Sequence, residues 1–550
     1  MRLDEDLYKE FLEEMNALEN FRIAYASTFP HVPLGRDDPD VKRMLEAMAF
    51  FSARTKMAAL SSVLAVQRRI FQQFFPFLLS TVPSMNTLQA RTTGQFIEPA
   101  FFPKGSQMSA AVPGEGTALF RTLQDLHVLP VKLVSAKMLL LPDKGFRFLL
   151  RLETPFPRND DIGTLRFYVS HLNDYQASLK VLHFLRGHLR AASVVFNEEA
   201  HEFSRGIDCG TSFGLPPSAG AESDESFHPL LAERWFFHFP QQELFLNVDV
   251  PAPPRNWKNF TVCLDLDSQW PRGVVLNEDI FHLFTVPVAN LKRAFAEPIV
   301  YDGTRERHPI RHPHAEHRFE LHSVLGVYEV RDRRNMVPLK AGVISGGSGS
   351  YEIDRNMTRD KSAGSTWLVP HFPEAFDSPK TLVVDALWFQ PWYSDLAAQS
   401  RQVHPYDRTP TGIKWDWTGS PKAHAANPLL KQNHGFTQLL ILANKSVLNV
   451  DDIGNLLRAL GTVSTGEFQN ILQLMSGVRV ESVPRQQSRN AGLIKHIYHL
   501  RFRYFDPVLR PLVEVFVRHV ERILDTWVSD ATVEARIETV EERAEARGAG

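Results

Sequence analysis

Two cysteines, Cys209 and Cys263, are all that 550 residues contain, which excludes a disulfide scaffold and suits a reducing compartment. No CxxC pair exists for a zinc ribbon or a redox centre. An excess of one charge is missing too: 61 Lys and Arg face 63 Asp and Glu, giving a formal net charge of -2. No global field therefore draws the chain to nucleic acid or to anionic lipid. Long apolar runs are also absent. The most apolar window, Ser61 to Val82, is interrupted by Gln67, Arg68, Arg69, Gln72, Gln73 and Pro76, so it cannot cross a bilayer as a helix. The opening MRLDEDLYKEF is acidic where a secretory signal is basic and then apolar. The mature chain is accordingly expected to begin near Met1, without export or membrane insertion.

What is present is helix at both ends and strand between. Leu7, Phe11, Met15 and Leu18 recur at helical spacing behind the acidic Asp4, Glu5 and Asp6, whose charges suit a helix N-terminus. Asp38 offers a cap and Pro39 a first-turn residue, and Val41, Met44, Leu45, Met48 and Phe51 follow as one stripe. A continuation or third helix carries Leu60, Val63, Leu64, Ile70, Phe71, Phe74 and Phe75 until Pro76 removes a donor. These faces either build an ordinary core, the usual fate of such stripes, or are presented to another molecule.

After Pro83, β-favourable runs separated by turn residues take over: VKLVSAKMLLL and FRFLLRLE as a hairpin around Lys144, then TLRFYVS, ELFLNVDV, NFTVCLDLD, HRFELHSVLGVYEV and TLVVDALWF. One helix is embedded around Leu179, Leu182, Leu185 and Leu189. Asp506 and Pro507 repeat the cap-then-proline device ahead of Leu509, Leu512, Phe516, Val520, Ile523, Leu524 and Trp527. The fold class expected is α+β. The divisions expected are N-terminal amphipathic helices over 1–90, a β-rich domain with the embedded helix over 91–215, a second β-rich region over 226–425, an α-rich region over 426–530 and a charged tail over 531–550. Gly, Ser and Pro mark breaks at Leu215 to Ser226 and Gly346 to Ser350, neither of which need be a domain boundary. Residues after about Thr532 lack a helical stripe and read as a solvated helix extension or frayed tail.

No catalytic constellation stands out. Gly210-Thr211-Ser212-Phe213-Gly214 matches the GxSxG nucleophile elbow, but that turn needs a strand before the Ser and a helix after it, and neither flank supplies one. His308, His312, His314, His317 and His322 crowd one segment with Glu316. Their spacing is irregular, Pro309 and Pro313 forbid a common helix, and a surface loop explains them better than a metal site. GGSGS lacks the Lys of a P-loop. Asp265 and Asp267 share a strand face in the manner of solvated residues. Trp388, Trp392, Trp415 and Trp417 are equally compatible with core and interface. No catalytic residue, cofactor or metal is assigned.

Several motifs in order carry a resemblance. DPDVKRMLEAMAFFSAR is similar to DPhVERLLEAFAFLxAR, and FPFLLSTVPSM to YPHYLRPIPSM; FPKGSQM and ALFRTLQDLHVLPVKLVSAKM resemble a PRGTxL and FRTxxDVxLLP region. LLAERWFFHFPQQELFLNV resembles LxEYFAFPEKFLFF, and LNEDIFHLFTVPVANLKRAFAEPI resembles CxPVVNLFxxxAEPI. Together they span about Leu7 to Ile299 and resemble the TssF family (also VasA or ImpG) of type VI secretion baseplate subunits. Further on the match weakens: Trp388-Phe389-Gln390 stands where the family shows CTN, and HGFTQLLILANKSVLNVDDIGNLLRAL is a degraded form of ISHLSLNYLSL.

The resemblance implies a non-enzymatic scaffold. It implies a wedge made with a TssG-like subunit and a second TssF copy, joined by TssK and TssE around a spike hub. The place implied is cytoplasmic, docked at the inner membrane through the secretion apparatus. A wedge protein of a related phage-tail-like contractile particle is the alternative, and a hydrolase using Ser212 or the His segment the remote one.

Overall fold

The computed structural model describes residues 5–29, 31, 39–142, 145–215, 228–314, 316, 318–332, 335–342, 349–355, 366–372, 378–393, 402–407, 410–426, 435–461, 466–484, 494–528 and 531–539. Two compact units meet between Phe75 and Pro76.

The first unit is a pair of helices, α1 (Glu5–Thr28) and α2 (Pro39–Phe74). Where three helices are expected, the second and third are one, because no Gly or Pro falls between Pro39 and Pro76 to break it. At 1.5 Å per residue, α2 is about 54 Å long. The pair runs antiparallel. Lys56 bonds Glu10 at 2.8 Å and Ser52 bonds Glu14 at 2.8 Å, and the buried Ala49 and Ala53 allow close approach. The Asp38 cap lies outside the described residues.

The second unit is built on a closed six-stranded antiparallel barrel. Its order is Met85–Thr92, Thr285–Ala289, Gly116–Thr122, Gln107–Val112, Gln402–Pro405 and Ile413–Lys422, which returns to the first. Closure removes the open edges. A five-stranded sheet runs Ile207–Asp208, Leu189–Phe196, Trp257–Leu266, Phe146–Arg158 and Lys132–Leu140, and a four-stranded sheet runs Gly210–Phe213, Phe245–Asp249, Thr164–Val169 and Phe281–Leu283. Both sheets take strands from either side of the Leu215 to Ser226 break, so that break divides no sheet. The expected hairpin forms, Met138 facing Phe148, with Asp143 and Lys144 outside the described residues. The embedded helix is α3 (Tyr175–His188), capped by the Asp174 carboxylate on the Ala177 N–H at 2.6 Å. Leu189 belongs to the strand that follows.

A helix that periodicity did not suggest, α4 (Pro229–His238), buries both faces of LLAERWFF. It packs Leu231 and Trp235 with Val82, Met85, Leu291 and Phe389. Two further sheets follow. Lys380–Phe389 lies between Lys292–Phe295 and Glu320–Asp332, and Ser350–Arg355 between Thr366–His371 and Lys340–Ala341. Of the GGSGS break, only Gly349 and Ser350 are described.

The C-terminal region mixes four helices with a sheet: α5 (Gly435–Leu442), α6 (Val450–Leu460), α7 (Gln469–Leu474) and α8 (Arg510–Trp527). The Asp506 carboxylate caps Val508 at 2.9 Å, and Leu512, Phe516, Val520, Ile523 and Leu524 form the buried stripe of α8. The region expected to be α-rich also carries Met475–Pro484 and Ile494–Phe502, paired antiparallel. The expected tail is corrected as well: Ala531–Thr539 is a strand, parallel to Ile494–Phe502. Its apolar residues Val533, Ala535 and Ile537 recur every second position, a strand period invisible to a search for helical stripes. Its outward N–H groups at Val533 and Ala535 donate to the Asp525 and Glu521 carboxylates of α8, at 2.8 and 3.0 Å.

A buried polar clamp joins barrel to sheet. Gln390 accepts from the Leu119 N–H at 2.8 Å, donates its own N–H to Asn290 Oδ1 at 2.8 Å, and donates Nε2 to the Thr117 carbonyl at 3.1 Å. Asn290 donates to the Leu119 carbonyl at 2.8 Å. Both side chains are 1 % exposed. Gln390 is thus a structural clamp. Truncating Gln390 to Ala leaves the buried Leu119 N–H without its partner, at about 1–3 kcal/mol. Urea unfolding of the Gln390→Ala variant is expected to show a loss of about 1–3 kcal/mol with an unchanged slope.

Candidate functional site

The residues flagged for chemistry are not brought together. Ser212 sits inside the short strand Gly210–Phe213, opposite Asn247, whose Nδ2 donates to its Oγ at 3.2 Å. A strand centre is not a nucleophile elbow, and no imidazole among the described residues bonds that hydroxyl. The histidines scatter over several elements. His308 pairs with Leu368 on a strand, His312 accepts from the His314 N–H at 3.1 Å, His314 faces Glu316 at 3.2 Å, and His322 is buried on Glu320–Asp332; His317 lies outside the described residues. Among the described residues no group of three or more His, Cys, Asp or Glu could hold a metal.

Asp265 is gripped by Arg147 through two bonds of 2.6 and 2.9 Å, and Asp267 meets His188 at 2.6 Å and Arg190 at 3.3 Å, so both carboxylates are engaged by neighbouring side chains. The tryptophans divide. Trp388 is core, 1 % exposed with its indole N–H on the Ala294 carbonyl, and Trp415 is core at 5 %. Trp417 packs edge-on to Phe120, and Trp392 lies under Arg318 at 4.9 Å.

One charged cluster escaped sequence reasoning because its members, Glu233 and Arg522 at the extremes, are 289 residues apart. His519 on α8 is fully buried, stacked on Phe236 with centroids 3.4 Å apart. Its Nδ1 lies 2.5 Å from Glu233 and its Nε2 3.3 Å from Glu243, and Arg522 approaches both acids at 3.6 and 3.5 Å. Burial alone pushes the imidazole pKa down, but the two carboxylates outweigh it and the net shift is upward. Burial likewise raises Glu243, yet the His519 bond and the charges of His519, Arg522 and Arg518 bring it below the usual range. The cluster locks α8 to α4.

An apolar surface is exposed on the helical pair. On α2, Met44, Met48 and Phe51 form one stripe, 66, 53 and 64 % exposed. Val63, Val66 and Ile70 continue it beyond the Lys56–Glu10 contact. On α1, Tyr8, Leu12, Phe21 and Ile23 also stand in solvent. Single exposed apolar residues are ordinary, but contiguous faces mark contact with another molecule.

No helix among the described residues is long and apolar enough to cross a membrane, so the stripe is not a bilayer span. The architecture defines a class: a multi-sheet body together with a helical pair that exposes apolar faces. The family model of the type VI secretion system protein TssF matches residues 3–366, and the chain belongs to that family. No curated protein matches it. A chain in a cryo-electron microscopy structure of the type VI secretion TssK-TssF-TssG baseplate subcomplex is similar in fold, with a TM-score of 0.70 at 15 % identity, covering 91 % of this chain and 96 % of that one. A chain from the baseplate complex of a type VI secretion system gives 0.55 at 16 % identity, covering 97 % and 96 %.

The His519 cluster sets the sign of a pH effect. A raised folded-state pKa gives stability that is complete below the unfolded value near 6.5 and is lost as pH rises through the folded value. Replacing His519 by Gln is expected to lower the thermal midpoint, with the gap from the parent shrinking as pH rises above about 6.5. Melting curves from pH 6 to 9 check this.

Proposed function

We propose that this chain is a non-catalytic structural subunit of the type VI secretion baseplate, and that its helical pair is completed by a TssG-like subunit and a second copy of the chain. TssK, TssE and the spike hub are the further neighbours in this reading. The place is the cytoplasmic face of the inner membrane, reached by docking on the apparatus and not by insertion. Membership of the TssF family supports the role, as does the likeness to chains from baseplate complexes.

The observation that carries the reading is the exposed α2 face. Fully covering a half-exposed Met, Phe or Val contributes roughly 1 kcal/mol, so the row from Met44 to Ile70 supplies enough for stable association. Interfaces of this obligate kind resemble a core divided between chains. In isolation the same face invites aggregation.

A tagged full-length chain co-expressed with its genomic neighbours is expected to retain a TssG-like protein through purification. Recovery of the chain alone sinks the proposal. Replacing Met48 and Phe51 together by Glu is expected to abolish that retention, while the chain's own unfolding free energy changes by no more than about 0.5 kcal/mol per site.

A further inference from the structure

The three-stranded C-terminal sheet has one margin that no other strand takes up among the described residues. Met475–Pro484 pairs with Ile494–Phe502 alone. A bulge between Met475 and Gly477 interrupts the strand at one end, and Pro484, which lacks an N–H, closes it at the other. The stretch left open is 477–483, whose middle residue is Val480.

The two faces of this strand differ. Gly477, Arg479, Glu481 and Val483 share the face of Lys495, His499 and Arg501. Charge predominates there: Arg479 lies 3.3 Å from Glu481 and 3.9 Å from Glu538, and Glu481 lies 3.7 Å from His499. Val478 and Val480 share the opposite face with Tyr498 and Leu500. Helices cover that side, since Phe502 meets Phe516 of α8 edge-on and the Tyr498 hydroxyl accepts the Leu448 N–H at 3.2 Å.

An unpaired strand margin is a template for another strand. Arg and Glu two places apart make this one complementary to itself. Take two copies paired antiparallel, with Val480 of each on the two-fold axis. Arg479 of each copy then faces Glu481 of the other, Val480 faces Val480, and Val483, 44 % exposed, lies over a Gly477 that has no side chain to obstruct it. Moving the axis to Arg479 or to Glu481 sets like charges directly opposite, which is destabilising. Moving it by half a step sets Val480 against Arg479 or Glu481 and joins the helix-covered face of one copy to the charged face of the other. Among antiparallel registers, only the one centred on Val480 gives each Arg a Glu, and it uses the whole of the open stretch.

We propose that Met475–Pro484 is an interaction surface for a second copy of this chain, joined antiparallel about Val480 so that two three-stranded sheets become one of six. The contact belongs to a different unit from the α2 face and does not depend on it.

Sedimentation of the full-length chain carrying Met48→Glu and Phe51→Glu, which disrupt the helical stripe, tests it. That chain is expected to dimerise. Adding Arg479→Glu sets Glu against Glu twice and is expected to raise the dimer Kd about tenfold or more; adding Glu481→Arg as well exchanges the two charges and is expected to restore the dimer. In the same background, Val480→Cys is expected to give a disulfide-linked dimer under mild oxidation, seen by mass spectrometry as a link between the two copies of position 480. Val483→Cys is not, because its two copies lie about 20 Å apart across the axis. A chain that remains monomeric, a dimer indifferent to Arg479→Glu, an exchange that fails to rescue it, or absence of the link at position 480 overturns the proposal. So does a dimer that exists only while Met48 and Phe51 are intact, which assigns the association to the helices.

Discussion

A helix of 36 residues paired with one of 24 has a single seam, and a single seam hides only one strip of each. Ala49 and Ala53 fill that strip on α2. Every large apolar side chain elsewhere on its surface must find cover outside the pair or remain in water. The rest of the molecule is consistent with this constraint, since the body offers a closed barrel and well-filled sheets, and the apolar stripe is concentrated on the helices.

The body is made stiff by buried polar contacts whose partners are distant in sequence. Asn290 and Gln390 tie barrel strands to the sheet behind them, and His519 with Glu233 and Glu243 ties the last long helix to α4. Such groups are favourable only when their geometry is satisfied. They therefore specify one relative placement of the layers, where apolar packing alone would accept several.

Local periodicity made much of this legible. The stripes of α1, α2 and α8, the Asp506-Pro507 start and the strand-rich middle all follow from residue spacing. Three features were not legible, each for a physical reason. The continuity of α2 depends on the absence of a breaker, which gives no positive signal. Ala531–Thr539 alternates with period two inside a charge-rich segment, where Glu and Arg mask the pattern. The α4 helix buries Glu233 and Arg234 together with Leu230, Leu231, Trp235, Phe236 and Phe237, so polar and apolar residues share its inner faces and no amphipathic rhythm results. The apolar helices themselves were legible as stripes, but whether a stripe meets its own core or a stranger is decided by the whole fold.

The C-terminal sheet has two chemically different margins. On Ala531–Thr539 the outward amides are occupied by Glu521 and Asp525, so an approaching extended segment finds carboxylates where it needs donors. Met475–Pro484 has a ladder on one side alone among the described residues. Recruitment of a further strand is thereby given a direction: one margin is chemically shut, and the other remains a place where a neighbour's backbone could be stitched on.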